Sequence, residues 1–241
     1  MPTKKVAKIT SVSQLIAFIE ENCEGESTLF RGQPEDQPLL PKIARNGFRV
    51  RGDRLQIERK MFEQFRREAV PFLGNDPGSL WDWLALAQHH GLPTRLLDWT
   101  LNPLAALWFA VERPATKTGL GVVWFFDAQD DDYVDASDGN PFQADRTRVF
   151  RPRHLTGRIV SQRGYFTAHK YLDSKNKFIP LNTNAKFKNR LTKLSIPGSA
   201  FANIRRDLDR CGVNGASMYG GLDGICAHIA WLHSLVDDET E

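Results

Sequence analysis

One stretch of the chain carries most of the information about its fold: Gln88-His89-His90-Gly91-Leu92-Pro93-Thr94-Arg95-Leu96-Leu97-Asp98-Trp99-Thr100. An amphipathic pattern that begins at a Ser79 cap runs into this stretch, and Gly91 is a typical helix terminator. Pro93 interrupts the pattern, and the residues from Thr94 to Trp99 are typical of a short strand. The stretch therefore predicts a helix, a turn and a strand in succession.

The flanking segments continue this mixture of helices and strands. Asn102-Pro103 predicts a helix start, and the alanine-rich run after it is apolar on every side, so we expect a buried helix. Gly121 to Phe126 is a continuous apolar run that predicts an interior strand, and Thr28 to Phe30 predicts a strand ending at Arg31-Gly32. Because the spacing is not that of regular βαβ units, the pattern predicts an α+β fold, a single domain with mixed or antiparallel sheets packed by short helices.

Four further helices are predicted by apolar residues at helical spacing. The first follows the Ser11 capping box, and the second runs from Asp53 to Val70 with a solvated charged face. The third includes Ile204, Leu208 and Cys211, and the fourth includes Leu222, Ile225, Ile229 and Leu232. We expect an N-terminal helical segment over residues 1–27, a main domain over residues 28–236 and an acidic tail over residues 237–241.

Composition places the chain among ordinary folded proteins. It has 241 residues, of which 41% are hydrophobic and 25% are charged, enough for one large domain or two small ones. No apolar run approaches the roughly 18 residues that span a bilayer, so we expect no membrane partner and a cytoplasmic location. The three cysteines lack metal-like spacing, so no metal is expected, and Cys211 and Cys226 are expected to be buried free thiols.

Charge is distributed unevenly along the chain although the net charge is only +3. Between Arg146 and Arg206 there are 15 Lys or Arg residues against one acid, Asp173, whereas six Asp residues lie between Asp127 and Asp138. This separation is compatible with a solvated basic surface. It favours a face that binds a phosphate-rich ligand, either a dinucleotide or a nucleic acid.

Three positions carry candidate chemistry. Arg31 at the mouth of a strand can bind a phosphate or carboxylate through two hydrogen bonds, with Gly32 allowing the ligand to approach the backbone, or it can pair with a structural acid. Asp98 needs a partner on leaving a buried region, which Arg95 or Arg31 can provide, and this pair alone can serve to fix the fold. Gln162, within a polar–apolar alternation, is expected to face a groove.

These motifs resemble the FRG domain family, which takes its name from Phe30-Arg31-Gly32. The resemblance includes Gln33, the stretch from Gln88 to Thr100, Asn102-Pro103 and the alanine-rich helix, and it extends to Gln162, Gly164 and Leu222-Asp223-Gly224. It covers roughly Thr28 to Ile229. Bacterial and phage-associated settings are what this resemblance implies, and with them a role in defence or toxicity and a protein partner in a defence system.

More distantly, the order of elements is similar to the ADP-ribosyltransferase plan. By that resemblance, NAD is the cofactor, Arg31 holds its phosphates, Thr100 supports the nicotinamide ribose, and Gln162 stands where that family has a Glu. Because Gln carries no negative charge, Asp98 would supply the carboxylate. The predicted catalytic residues are Asp98, Thr100 and Gln162. The predicted cofactor-binding residues are Arg31, Gln33, His90, Arg95 and Trp99.

Three functions remain open at this point, one of them a protein-interaction or defence component whose activity appears only with a partner. Another is an NAD-consuming enzyme, an ADP-ribosyltransferase or NAD glycohydrolase acting as an effector in bacterial or phage-related defence or toxicity. The last is a non-catalytic module that binds nucleic acid or a phosphorylated nucleotide through its basic face.

Overall fold

A seven-stranded sheet organises the computed structural model, which describes residues 7–23, 28–115, 119–135, 139–153, 164–172 and 177–239. In chain order the strands are β1 (Ala7–Lys8), β2 (Thr28–Gln33), β3 (Leu96–Thr100), β4 (Leu120–Asp127), β5 (Arg148–Phe150), β6 (Gly164–Ala168), β7 (Tyr171–Leu172), β8 (Lys177–Phe178) and β9 (Leu191–Pro197). The sheet order is β1-β9-β4-β2-β3-β6-β5, and β7 and β8 form a separate ribbon. All pairs are antiparallel except β1 with β9.

The described residues also form seven α-helices. They are α1 (Val12–Asn22), α2 (Arg54–Ala69), α3 (Leu80–His89), α4 (Pro103–Val111), α5 (Phe201–Arg210), α6 (Gly215–Tyr219) and α7 (Gly221–Leu232). The mixture of helices with a mostly antiparallel open sheet confirms the predicted α+β class and the single domain. In the described part of the chain, no helix has the length and apolarity that a membrane span requires.

The predicted helix ends are set by the expected capping residues. Ser79 accepts a hydrogen bond from the Asp82 backbone N–H at the start of α3, and Gly91, with φ 89°, follows that helix. The Asn102 side chain accepts from the N–H groups of Leu104 and Ala105 at the start of α4. These caps confirm the helix starts read from the sequence.

Helix α4 lies directly on the sheet because two strands present glycine to it. A Cβ at Gly32 would lie 1.8 Å from the Ala106 carbonyl oxygen, and one at Gly121 would lie 2.8 Å from the Ala110 carbonyl oxygen. The alanines of the helix complement these glycines, which explains its composition. Gly32 was expected to give a ligand access to the backbone, but its absent side chain is required first for the packing of α4.

Two apolar layers hold the sheet in place. Phe30 and Phe125, with ring centroids 5.1 Å apart, pack on the α4 side, and Trp99 and Phe126 pack on the opposite side. Each such side chain is worth about 1.5–3 kcal/mol when fully buried. Leu15 of α1 is fully buried in the same layer as Phe30, so the N-terminal helix packs onto the sheet as well.

Helix α7 departs from its predicted packing. Its apolar residues Leu222, Ile225, Ile229 and Leu232 face outward, while Gly224 is buried against α6. Because α7 lies against α6 at Gly224, the opposite face of α7, which carries these apolar residues, is exposed to water. The two cysteines expected to be buried, Cys211 and Cys226, are exposed, which makes that prediction wrong.

Candidate functional site

The sheet opens between β2 and β3. Strand β2 pairs with β4 at every position from Thr28 to Gln33, but it pairs with β3 only where Phe30 faces Thr100. Continuing that antiparallel register would bring Arg31 opposite Trp99, yet the two strands diverge there. A cleft therefore begins within the sheet, at the end of β3.

Arg31 bridges the gap between the two strands. Its Nη1 donates a 2.8 Å hydrogen bond to the Asp98 carbonyl oxygen and lies 3.6 Å from Asp98 Oδ2. Its Nε is buried and has no hydrogen-bond partner among the described residues. Burial lowers the pKa of Arg31 to about 10, with Asp98 opposing this shift and Arg45 adding to it. The guanidinium stays charged at neutral pH, and its Nε–H is a donor that the described residues leave unsatisfied.

Asp98 is held at the cleft by two side chains. Gln88 Nε2 lies 3.3 Å from each carboxylate oxygen and donates to them, and Arg31 supplies the cationic partner. The Gln88 amide is oriented in turn by Thr94, whose hydroxyl donates to Gln88 Oε1 at 2.8 Å. The Asp98 side chain remains 57% exposed. Of the two arginines predicted as its partner, the structure selects Arg31.

Arg95 lies elsewhere, in a buried ion pair. Its Nη2 is 2.7 Å from Glu58 Oε2, and its backbone N–H donates to Glu58 Oε1 at 2.8 Å. Both side chains are almost fully buried. The charged face of α2 was expected to be solvated, but Glu58 points inward with Phe62 one turn further along that helix. The structure therefore gives Arg95 a partner within the fold instead of a place in the cleft.

The other predicted residues divide between the cleft and the core. Thr100 lines the cleft, and its hydroxyl accepts from the Asn102 N–H. Trp99 contributes to the cleft wall, but its indole N–H donates to Thr167 in the core. The buried Gln33 accepts from the Trp124 indole. His90 is exposed at the end of α3, and its neighbour His89 lines the cleft instead. Gln162 lies outside the described residues.

Two neighbouring cavities meet at Arg31. One, of about 340 Å³, is lined by Asp98, Thr100 and Glu112 among others, and the second, of about 380 Å³, includes Arg45. Arg31, Gly32 and Pro34 line both. The two volumes lie at the lower end of the range found for small-molecule sites. Arg31 therefore stands in a wall that the two cavities share.

Glu112 is the cleft residue that the sequence analysis missed. It follows α4, its side chain is 15% exposed, and Oε2 accepts a 2.6 Å hydrogen bond from the Tyr219 hydroxyl. A carboxylate at a helix C-terminus faces the negative end of the helix dipole, which is unfavourable without a partner. An acid directly after an apolar helix was therefore a usable signal in the sequence.

Part of the basic stretch forms ion pairs with the acidic one. Asp131 lies 3.1 Å from Lys186 Nζ and 3.5 Å from Arg146 Nη1, and hydrogen bonding to Lys186 lowers the pKa of Asp131. Asp132 is fully buried and pairs with Arg190. Burial raises the pKa of Asp132, but hydrogen bonds from Arg190 and a backbone N–H outweigh it and lower that pKa. Charges separated in the sequence thus meet in space.

Within the described segments, no group of three or more His, Cys, Asp or Glu side chains is placed to hold a metal.

Comparison with known proteins gives one family. The model of the FRG domain matches residues 26–119, which include β2, α2, α3, β3 and α4. Searches of curated proteins and of solved structures each found no match to the chain. The matched range contains Arg31, Asp98, Thr100 and Glu112, so the cleft walls come from the recognised domain. Residues 26–119 of this chain form an FRG domain.

Proposed function

We propose that the cleft binds NAD and that the chain cleaves it, either transferring the ADP-ribose group to an acceptor or releasing it to water. The observation that carries the proposal is the position of Arg31, which lines two cavities and whose buried Nε has no hydrogen-bond partner among the described residues. A pyrophosphate at Arg31 would place one nucleoside in each cavity. The anion would also offset the burial that lowers the pKa of this side chain.

The reacting ribose is assigned to the cavity with the carboxylates. Asp98 and Glu112 both line it, beside Thr100. In the reaction the bond between ribose C1 and the nicotinamide nitrogen breaks, its electron pair leaves with nicotinamide, and positive charge develops on the ribose. A carboxylate stabilises that charge, and a water or acceptor group then attacks C1 and loses a proton. Glu112 thereby supplies a second negative charge in addition to Asp98.

The test measures nicotinamide release and ligand binding separately. The purified chain is incubated with NAD, and binding of ADP-ribose is followed by calorimetry. Arg31→Ala should lose both, whereas Asp98→Asn and Glu112→Gln should retain ADP-ribose binding and lose turnover. Glu63→Gln on the surface of α2 is the matched control. ADP-ribose binding that is absent in the wild type would refute the proposal.

A non-catalytic nucleotide-binding module is the second candidate. The exposure of Asp98 favours it, because water screens the field of a carboxylate that would otherwise stabilise a charged transition state. This candidate predicts ADP-ribose binding that depends on Arg31 with no nicotinamide release, alone or with DNA, RNA or lysate. A nucleic-acid ligand is less favoured, since Asp131 and Asp132 already pair with the basic stretch.

A role as an effector in bacterial or phage-related defence is part of the same proposal. If the chain consumes NAD in cells, its expression should slow growth and lower cellular NAD. A folded Arg31→Ala variant should restore both. Growth inhibition that persists in this variant would show that toxicity does not depend on the cleft.

A further inference from the structure

A third cavity is lined by Glu112, which also lines the cleft. It has a volume of about 370 Å³, and α4, α5, α6 and α7 all contribute to it. Glu112 lines both this cavity and the cleft, whereas Arg31, Asp98 and Thr100 line only the cleft side. The cavity is therefore a separate space that shares one wall residue with the proposed NAD site.

Aromatic rings form much of its lining. Trp108 packs edge-on against Tyr219, with ring centroids 5.3 Å apart and planes at 77°. His228 stacks on Trp231, with centroids 5.8 Å apart and planes at 22°. All four residues line the cavity. Indole and phenol faces carry negative electrostatic potential and attract cations within about 6 Å.

Carboxylates add to this negative potential. Asp209 Oδ1 accepts from Asn214 Nδ2 at 2.8 Å and lies 3.4 Å from His228 Nε2. Both contacts fall on Oδ1 of this cavity-lining residue. The other wall acid, Glu112, accepts from Tyr219 through Oε2. A carboxylate has about four acceptor positions, so neither acid is saturated by these contacts.

The cationic residues of the cavity do not cancel these acids. Arg205 is 5% exposed and is paired with both Asp238 and Glu239, the latter at 3.0 Å, so its charge is more than neutralised. The remaining arginine, Arg113, is 78% exposed and lies 3.9 Å from Glu112. Counting His228 as neutral, the cavity and its immediate partners carry net negative charge.

We propose that this cavity is a binding site for an organic cation, a ligand with an ammonium or guanidinium group. The aromatic faces would contact the apolar surface of the cation, and Asp209 and Glu112 would balance its charge. A free metabolite and the side chain of a partner protein can both present such a group. The site does not require that the neighbouring cleft bind NAD.

The experiment is calorimetric titration of the whole chain, without NAD, at about pH 8, where an ordinary imidazole is neutral. The probes are choline, agmatine and the neutral isostere 3,3-dimethylbutan-1-ol. At least one cation should bind saturably, and the neutral alcohol should bind at least about fivefold more weakly. Equal binding of the alcohol, or no binding of either cation to the folded chain, would overturn the proposal. Preference for choline or agmatine distinguishes the ammonium from the guanidinium form.

Variants test the residues that carry the argument. Trp231→Leu should weaken cation binding about three- to fivefold, and Trp231→Phe, which keeps an aromatic face, should weaken it less. Asp209→Asn should weaken it while preserving an acceptor for Asn214. Arg113→Gln is the matched control with the opposite expectation, because removing a positive charge beside Glu112 should leave binding unchanged or make it tighter. Binding that is insensitive to both Trp231→Leu and Asp209→Asn would assign the cation to another part of the chain.

Discussion

Arg31 Nη1 donates a hydrogen bond to the backbone carbonyl of Asp98, at the point where β2 and β3 stop pairing. A side chain thus takes the place of the backbone donor that a continuous sheet would provide. The same guanidinium lies 3.6 Å from the Asp98 carboxylate and keeps a buried Nε without a partner among the described residues. Arg31 consequently joins the separated strands and lines the cleft between them.

The first prediction concerns the guanidinium fork. Arg31→Lys keeps the positive charge but cannot bond Asp98 and a phosphate through a planar fork, so ADP-ribose affinity should fall at least about tenfold. Calorimetry measures this affinity. Arg113→Lys, a change at an exposed arginine outside the cleft, should leave it unaltered. Unchanged affinity in Arg31→Lys would show that the site needs only a charge.

The second prediction assigns Arg95 to stability. Arg95→Met leaves Glu58 buried without its cation, which should cost about 3–5 kcal/mol of unfolding free energy in urea titration. Adding Glu58→Gln to Arg95→Met should recover much of the lost stability, because the amide oxygen of the substituted side chain can still accept from the backbone N–H of residue 95. Arg210→Met removes an exposed pair with Asp207 and should cost less than about 1 kcal/mol. A double variant no better than Arg95→Met would contradict the ion-pair explanation.

The third prediction is a pH dependence. Burial lowers the pKa of His169 to about 4, although its hydrogen bond to Ile179 opposes the shift and Arg31 and Arg95 reinforce it. Because the backbone carbonyl of Ile179 can only accept, Nδ1 donates to it, and Nε2 then accepts from the Thr167 hydroxyl. That hydroxyl oxygen accepts in turn from the Trp99 indole. The neutral ring is therefore an integral part of the core.

The sign follows from proton uptake. Between about pH 6.5 and 4 the unfolded chain binds a proton at His169 that the folded chain does not, so stability is present above pH 6.5 and falls as the pH is lowered. The contribution is roughly 3 kcal/mol, and it is fully lost near pH 4. Denaturant titration of His169→Gln across this range should show a shallower decline than the wild type. Parallel declines would rule out His169 as the cause.

The fourth prediction concerns Gly32. A methyl group there would meet the Ala106 carbonyl oxygen, which is backbone and cannot rotate away. Gly32→Ala should therefore destabilise the chain by about 1–3 kcal/mol or more, measured as a lower denaturant midpoint. Gly74→Ala, where a Cβ meets nothing within 4 Å, is the matched control and should be near neutral. Equal midpoints for the two variants would contradict the close-packing argument.

Local signals predicted much of the fold. The Ser79 and Asn102 caps, the Gly91 terminator and the apolar run of β4 each depend on neighbours in the chain, and the structure has all of them. What the sequence could not provide was the pairing of distant residues. The Arg95 partner Glu58 lies 37 positions away, and Asp131, which pairs with Lys186, is also remote from its partner in sequence. The outward face of α7 depends on the close approach at Gly224, which periodicity does not report.

The site shows the same division between local and long-range information. Its motif residues Arg31, Asp98 and Thr100 were recognised and do meet at one cleft. Gln33, Arg95 and Trp99 are predicted to bind the cofactor, but the side chain of each has a partner inside the fold. A motif therefore includes residues that shape a site together with residues that contact its ligand, and only the tertiary contacts separate them.

The contact between Gly32 and α4 affects how mutational scans of this domain should be interpreted. The helix rests on a strand backbone, and it carries Ala106 and, just beyond its last turn, Glu112 to the cleft. A scan scored only by activity would rank Gly32 with Asp98, although the glycine acts by admitting the helix. Abundance or solubility scored in parallel would separate the two groups, since variants at Gly32 should lose folded protein and variants at Asp98 should not.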